Sequence, residues 1–238
     1  MENFGKIYMV PMNLGEVNSG MFLPPEVLNI IKSLKFFIAE NAKTTRHYLI
    51  SLGMKDLLNK ITIFQMDKHA DKVDYSDFFK ESVLSGFDLG VISEAGCPGV
   101  ADPGSEVVRQ AHLRDIRVVP LVGPSSILLS LMASGLNGQS FAFNGYLPVK
   151  MPERLKTLKK LEELSKQKNQ TQIFIETPYR NNSLLDLLCN NLSQETLLTI
   201  ACQLTLPDEF IKTQSIKDWK KQKYDFDKKP SIFLILKK

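Results

Sequence analysis

Residues 89–105 read LGVISEAGCPGVADPGS, an apolar run followed by a loop rich in glycine and proline. Leu89–Ser93 has the length and composition of a buried strand, and Glu106–Arg114 has the pattern of a helix that we expect Ser105 to cap. About twelve residues join them, whereas a simple strand-to-helix link needs roughly two to six. A long, shaped loop at the carboxyl end of a parallel strand is where open α/β sheets bind ligands. A connection that holds no ligand is the alternative interpretation.

Strands and helices alternate through the first half of the chain. The predicted strands are Lys6–Val10, Phe36–Ala39, Ile61–Gln65, Leu89–Ser93 and Arg117–Pro120. The predicted helices are Pro24–Leu34, Ala42–Leu52, Asp74–Ser85 and Glu106–Arg114. Because parallel strands need crossover connections, usually helices, this alternation predicts an α/β fold with a mainly parallel sheet.

After Pro120 the alternation becomes irregular. The predicted helices are Ser126–Ser134, Met151–Ser165 and Asn182–Leu192, and the predicted strands are Phe141–Tyr146, Thr171–Glu176, Leu197–Cys202, Glu209–Thr213 and Ser231–Leu236. The last three strands have little helix between them, which favours antiparallel pairing. Pro120 and the Gly123-Pro124 pair interrupt regular secondary structure and indicate a domain boundary near them. We therefore expect two α/β domains, residues 1–119 with a mainly parallel sheet and residues 120–238 with a mixed sheet.

Composition excludes several protein classes. The 238 residues are 43% hydrophobic and 24% charged, which is typical of a globular protein and not of a disordered or coiled-coil chain. No apolar run reaches the roughly 18 residues of a membrane span, and the first residues do not resemble a secretory leader. The cysteines lack CxxC spacing and the histidines lack metal-ligand spacing. We expect a cytoplasmic protein with no disulfide framework, no metal site and no membrane contact.

Charge is distributed unevenly between the halves. Residues 1–119 carry a formal charge of −2 and residues 120–238 carry +6. Lysines around 150–168 and 217–223 form solvated helix faces or bind a polyanion such as RNA, and composition leaves both open. Trp219, inside the second cluster, is either a base-stacking side chain or the anchor of a short helix.

The loop at 92–105 is not built like a phosphate site. It has neither GxGxxG nor GxxxxGK[ST] spacing, and no Lys or Arg lies between Leu89 and Val108. It offers Ser93, Glu94, Asp102 and free backbone groups instead. Such a lining suits a ligand that carries amines, hydroxyls or a positive centre.

This loop resembles that of the tetrapyrrole methylase superfamily, the class III S-adenosylmethionine-dependent methyltransferases. Within the superfamily, the pattern is most similar to the branch that methylates small-subunit ribosomal RNA. Five further segments match in the same order: AENAKTTRHYL (39–49), PLVGPSS (120–126), LMASGL (131–136), FAFNGYLPVK (141–150) and IETPYR (175–180). The resemblance extends from residue 4 to about residue 236.

The resemblance implies a homodimer of two-domain subunits, with S-adenosylmethionine bound in a cleft between the domains and S-adenosylhomocysteine as product. It also implies the residues that contact the cofactor. Carried onto this sequence, they are Pro11, Met12, Ser93, Glu94, Ala95, Gly96, Val100, Ser126, Ile127, Ile175, Ala201, Cys202, Pro230 and Ser231.

The implied acceptor is a ribose 2′-hydroxyl of ribosomal RNA, a poor nucleophile that benefits from a proton acceptor. Glu40 and Glu176, each at the end of a predicted strand, are the candidates. Lys43, Lys150 and Arg180 would hold substrate phosphate or developing charge. A stabilising ion pair between Glu176 and Arg180 is the alternative.

Four segments depart from the family pattern. The first motif becomes VPMNLGEVN (10–18), and residues 39–43 have Asn41 where the family has Asp and Lys43 where it has Arg. Residues 201–206 (ACQLTL) lose three charged positions, and Tyr179 stands where the family has His. Methyl transfer is therefore a stronger prediction than the identity of the acceptor. A tetrapyrrole or other small molecule as acceptor, or a homodimer that binds the cofactor or ribosomal RNA without turnover, are the alternatives.

Overall fold

The computed structural model describes residues 4–15, 21–66 and 73–237, so residues 16–18 of the 10–18 motif lie outside the described part. The chain forms two compact units, one up to Ser125 and one from Ser126.

The division falls a few residues beyond the 119/120 boundary that the sequence suggests. The segment after Pro120 packs with the first unit: the Leu121 amide donates to the Met9 carbonyl oxygen over 3.1 Å. Gly123 lies so close to Pro11 that a Cβ at position 123 would meet the Pro11 Cβ at 2.2 Å. Glycine is therefore required where this segment crosses the end of the first strand.

The first unit is a five-stranded, all-parallel sheet, as predicted. Its strands are β1 (Ile7–Val10), β2 (Phe36–Ala39), β3 (Thr62–Gln65), β4 (Leu89–Ile92) and β5 (Val118–Pro120), in the order β3-β2-β4-β1-β5. Its helices are α1 (Pro25–Ser33), α2 (Ala42–Ser51), α3 (Ser76–Glu81) and α4 (Ser105–His112), with 3-10 turns at Lys55–Lys60 and Val83–Ser85.

Both faces of this sheet are covered. In β4, Leu89 and Val91 enter one hydrophobic cluster and Ile92 enters another. Neighbouring residues of a strand point to opposite faces, so a strand buried on both faces is apolar without interruption. This explains why the central strands stand out in the sequence.

The second unit contains a five-stranded mixed sheet, again as predicted. Its elements are α5 (Ser126–Ser134), β6 (Phe141–Tyr146), α6 (Met151–Lys168), β7 (Thr171–Ile175), a 3-10 turn (Pro178–Arg180), α7 (Asn181–Asn191), β8 (Leu197–Cys202), β9 (Phe210–Ser215), α8 (Ile216–Trp219) and β10 (Ser231–Leu236). The strand order is β6-β7-β10-β8-β9, and β6 with β7 is the only parallel pair among these described strands.

Two local expectations are wrong. Ser105 does not cap α4: the helix begins at Ser105, and the preceding Gly104 has φ 131° and contributes no side chain to the cap. The predicted helix Asp74–Ser85 ends early at Glu81, because Ser82 leaves helical geometry and a 3-10 turn follows.

Trp219 is the anchor of a short helix. Its side chain is 1% exposed, and Nε1 donates to the Leu198 carbonyl oxygen over 2.9 Å. Tyr224 packs edge-on against it. A side chain enclosed in this way presents no face to a base, so the base-stacking alternative is wrong.

Cys97, Cys189 and Cys202 are all free thiols. No helix in the described ranges is both long and apolar enough to cross a bilayer. Within the same residues, the structure contains no group of three His, Cys, Asp or Glu side chains that could hold a metal ion.

Candidate active site

In the first unit, the predicted site residues gather at the carboxyl ends of three adjacent strands. Ile92, the last residue of β4, pairs with Val10 of β1 and with Ala39 of β2. The residues that follow these three positions are Pro11 with Met12, Glu40, and Ser93 with Glu94. Ser93 is buried, whereas Glu94 and Ala95 are exposed. The sheet therefore brings together side chains that lie far apart in sequence.

Backbone hydrogen bonds fix the long loop. Met12 and Gly96 form a two-way bridge, with N···O distances of 2.8 and 3.2 Å. Further along, the Gly99 amide donates to the Pro103 carbonyl oxygen over 3.0 Å. Val100, at the crest of this turn, is 50% exposed and free to contact a ligand.

Cys97 secures the loop to the end of the first unit. Its Sγ lies 3.4 Å from the Pro124 carbonyl oxygen. Burial raises the pKa of the thiol, which disfavours the thiolate that a nucleophile needs. The loop cysteine is therefore structural.

Three carboxylates converge on the loop. Partial burial raises the pKa of Asp102, and the charges of Glu40 and Glu94 raise it further, while a hydrogen bond with Ser93 acts in the opposite direction. Like charges held near one another favour a cationic partner. Asp102 is absent from the predicted contact set, although its place in the 92–105 loop is the signal that identifies it.

Asn13 is a candidate site residue that the sequence does not reveal. Its side chain is 8% exposed, and Oδ1 has no hydrogen-bond partner among the described residues. A buried oxygen without a partner is uncommon and marks a place that a ligand donor would satisfy. The adjacent Pro11 is held by Tyr48, whose hydroxyl donates to the Pro11 carbonyl oxygen over 2.8 Å.

Lys43 lies in the first turn of α2 and is exposed. Asn41, one of the departures from the family pattern, caps this helix: its Oδ1 accepts from the Lys43 and Thr44 amides at 2.9 and 3.3 Å. The substitution at 41 therefore keeps an N-cap while removing a charge.

In the second unit, the predicted residues meet at one edge of the mixed sheet. Ile175 at the end of β7 pairs with Tyr146 of β6 and with Ile232 of β10, and Cys202 of β8 pairs with Ser231. Ile175, Ala201, Cys202, Pro230 and Ser231 thus lie at the same edge, with Lys150, Glu176 and Arg180 just beyond the strand ends.

Glu176 is buried between two guanidinium groups. Its Oε2 lies 2.5 Å from Nη2 of Arg154, and its Oε1 lies 3.2 Å from Nε of Arg180. Oε1 also accepts from the Thr177 amide over 2.7 Å. This arrangement favours the ion-pair alternative over proton removal, because both carboxylate oxygens already hold cationic partners.

Ser126 and Ile127 begin α5, which packs against β8, β9 and β10. Ile127 is buried and Ser126 is half-buried. At the other end of the helix, the Thr213 hydroxyl donates to the Ser134 carbonyl oxygen over 2.7 Å and fixes α5 on the sheet.

No family model matches the chain. The chain is 28% identical to Ribosomal RNA small subunit methyltransferase I of Buchnera aphidicola subsp. Schizaphis graminum, over 98% of this chain and 78% of that protein. The Vibrio cholerae protein of the same name is 28% identical over 86% of this chain and 67% of its own length. The Mesorhizobium japonicum protein of that name is 39% identical over 57% of this chain and 45% of its own length.

Among solved structures, the methyltransferase CobJ shares the fold, with a TM-score of 0.62 and 15% identity, over 98% of this chain and 94% of that one. Similarity along almost the whole chain and the shared fold identify the protein as a methyltransferase, and they support its resemblance to the tetrapyrrole methylase-like superfamily.

Proposed function

We propose that the chain transfers a methyl group from S-adenosylmethionine to a ribose 2′-hydroxyl of small-subunit ribosomal RNA in the cytoplasm. The observation that carries the acceptor class is similarity over 98% of the chain to a relative named for that RNA. The +6 charge of residues 120–238 supports a polyanionic substrate.

The loop edge of the first unit suits this cofactor. The Oδ1 atom of Asn13 has no partner among the described residues, and a bound hydroxyl or amine would satisfy it. Glu94 and Asp102 would face the cationic part of the cofactor, and the backbone amide of Ala95 would hydrogen-bond its polar groups. When bound, S-adenosylmethionine supplies an activated methyl group on a sulfonium centre.

Protein side chains would then position the acceptor and move one proton. Glu40, half-buried at the end of β2, is our candidate to accept the proton of the ribose hydroxyl. Lys43 and Lys150, both exposed, would bind flanking phosphates. Arg180 would hold a phosphate less firmly, because Glu176 already pairs with its Nε.

We propose that the active form is a homodimer. Leu128 and Met132 lie one turn apart on α5, and their side chains are 54% and 79% exposed. Apolar side chains at this spacing form a stripe that a second subunit would bury. Light scattering on the purified chain would test this, and a monomeric mass would count against it.

The deciding experiment compares ribosomal RNA nucleosides, by mass spectrometry, from cells that carry or lack the chain. We expect one additional 2′-O-methylated nucleoside in small-subunit RNA when the chain is present, and its loss in a Glu40→Gln variant. Identical nucleoside profiles, or a methyl group on a base, would contradict the proposal. Incubation of the purified chain with labelled S-adenosylmethionine and a tetrapyrrole tests the small-molecule alternative.

A further inference from the structure

Exposed tyrosines occur at a single place in the second unit. The chain has six tyrosines, and the structure describes all of them. Tyr8, Tyr48, Tyr75 and Tyr224 are buried or half-buried, whereas Tyr146 and Tyr179 are 62% and 67% exposed. Burial of an aromatic ring is favourable, so two rings left in solvent call for an explanation.

Sheet register places both tyrosines at the same edge. Tyr146 is the last residue of β6 and pairs with Ile175, the last residue of β7. Tyr179 lies in the 3-10 turn four residues beyond Ile175. Because β6 and β7 are parallel, the segments that follow them leave the sheet on the same side.

An ion-pair network holds this edge in shape. Arg154, in the second turn of α6, reaches Glu176, and Glu176 also pairs with Arg180. The Arg180 Nε donates to the Thr177 hydroxyl over 2.8 Å, so the turn that carries Tyr179 is fixed at both ends. A rigid aromatic surface loses little conformational entropy when a ligand stacks on it.

Three cationic residues flank the two tyrosines along the chain or in the structure. The Arg180 guanidinium lies 5.4 Å from the centre of the Tyr179 ring. Lys150 follows Tyr146 by four residues, and the Lys228 amide donates to the Pro178 carbonyl oxygen over 3.2 Å, which places the Lys228 backbone against the turn. The side chains of Lys150 and Lys228 form no ion pair with any described residue and are exposed. Their charges are available to phosphates.

We propose that Tyr146, Lys150, Tyr179, Arg180 and Lys228 form a tyrosine platform on which unpaired bases of the RNA substrate stack while the lysines bind the adjoining phosphates. The proposal rests on the RNA substrate proposed above and assigns it a docking surface. Stacked aromatic rings beside a basic groove are the means by which proteins bind single-stranded RNA. The platform therefore selects an acceptor loop with splayed bases over a paired helix.

The rival occupant is a second subunit. Val149 and Met151, next to Lys150, are also exposed apolar side chains. A subunit interface depletes lysine at its centre, whereas two exposed lysines, Lys150 and Lys228, lie next to this surface. Charge complementarity therefore favours RNA.

The test measures binding of a short, fluorescein-labelled single-stranded RNA by anisotropy, without cofactor. Tyr179→Ala should weaken binding by about 5- to 150-fold, which is the range for loss of one stacked base, and Tyr146→Ala should do the same. Tyr179→Phe keeps the stacking face and should bind within about twofold of the wild type. A matched strand with an abasic site retains its phosphates, so the wild type should bind it more weakly and Tyr179→Ala should weaken that binding no further.

Phe141→Ala is the matched control, because Phe141 is a 40% exposed aromatic at the opposite end of β6. RNA affinity that is equal in wild type and both alanine variants would overturn the proposal. So would an alanine variant that changes the oligomeric mass by light scattering while RNA affinity stays constant. Because this binding needs no methyl transfer, a platform that binds RNA in a chain that methylates none would refute the proposed function and leave the platform standing.

Discussion

Asp102 links stability to ligand binding at the level of one carboxyl group. Partial burial and the neighbouring charges of Glu40 and Glu94 raise its pKa in the folded state. The folded protein therefore holds this proton more tightly than the unfolded chain, and its stability falls as pH rises through the pKa of Asp102. A bound cationic ligand would offset this loss of stability, because it favours the ionised form of Asp102.

Asp102→Asn should stabilise the ligand-free protein and weaken the cofactor complex. At neutral pH the melting temperature of the free protein should rise by roughly 1–4 °C, and the gain should vanish below the pKa of an unfolded aspartate. Affinity for S-adenosylmethionine, measured by calorimetry, should fall about tenfold or more. Asp115→Asn, which removes an exposed carboxylate elsewhere in the first unit, should leave the affinity for S-adenosylmethionine unchanged. Unaltered cofactor affinity in Asp102→Asn would show that Asp102 does not contribute to cofactor binding.

Glu176 shows what sequence alone leaves open at this scale. Its position at a strand end fits a proton acceptor and an ion pair equally well, and Arg180 nearby in sequence does not decide between them. The deciding partner is Arg154, 22 residues away on another element and 5% exposed. Removal of one member of a buried ion pair is strongly destabilising, so Glu176 contributes to the site by holding its edge in shape.

At the scale of elements, the conformation of the 92–105 loop depends on Gly96. Gly96 has φ +65°, and a Cβ there would lie 3.3 Å from Leu14 Cδ2 and 3.5 Å from the Pro124 carbonyl oxygen. A branched side chain at position 96 would therefore distort the loop itself, so its effect could not be assigned to a clash with the cofactor. Alanine is the smaller and more informative change.

Gly96→Ala should cost about 1 kcal/mol of folding free energy and also weaken cofactor binding. Gly53→Ala is the matched control, since Gly53 has φ +83° at the end of α2 with open space around it. It should cost a similar amount of stability and leave the affinity for S-adenosylmethionine unchanged. Urea denaturation measures the first effect and calorimetry the second. If both variants bind the cofactor like wild type, the loop does not form the pocket.

Periodicity predicted the elements well where burial is regular. The bounds Phe36–Ala39, Leu197–Cys202 and Ser231–Leu236 were predicted to the residue, because strands buried along their length carry a clear apolar signature. Strand order and register were not predictable, since they depend on pairings between distant segments. The two tyrosines of the platform come to the same end of the sheet only because β6 pairs with β7 in this register.

At the scale of the whole molecule, two surfaces of the second half are candidates for contact with RNA. One is the platform at the carboxyl ends of β6 and β7. The other lines a cavity of about 430 Å³ between α7 and α8, with Lys220 and Lys223 at its rim. Lys221, between them, is already paired with Asp218 at 2.6 Å. The sequence leaves the lysines around 150–168 and 217–223 equally open as RNA contacts, whereas the exposed rings of Tyr146 and Tyr179 favour the platform.

Salt dependence distinguishes these two surfaces. Each phosphate contact to single-stranded RNA contributes roughly −0.7 to the slope of log K against log salt, so three or four contacts weaken binding by about 20- to 50-fold between about 50 and 200 mM salt. If the contacts lie on the platform, Lys150→Gln with Lys228→Gln should reduce the slope by about 1.4. Lys220→Gln with Lys223→Gln removes the same charge from the other surface and should leave the slope unchanged. If only the Lys220→Gln, Lys223→Gln variant reduces the slope, the RNA binds the α7–α8 surface instead. A wild-type slope near zero would instead favour an uncharged acceptor, because only released counterions make the binding of a substrate depend steeply on salt.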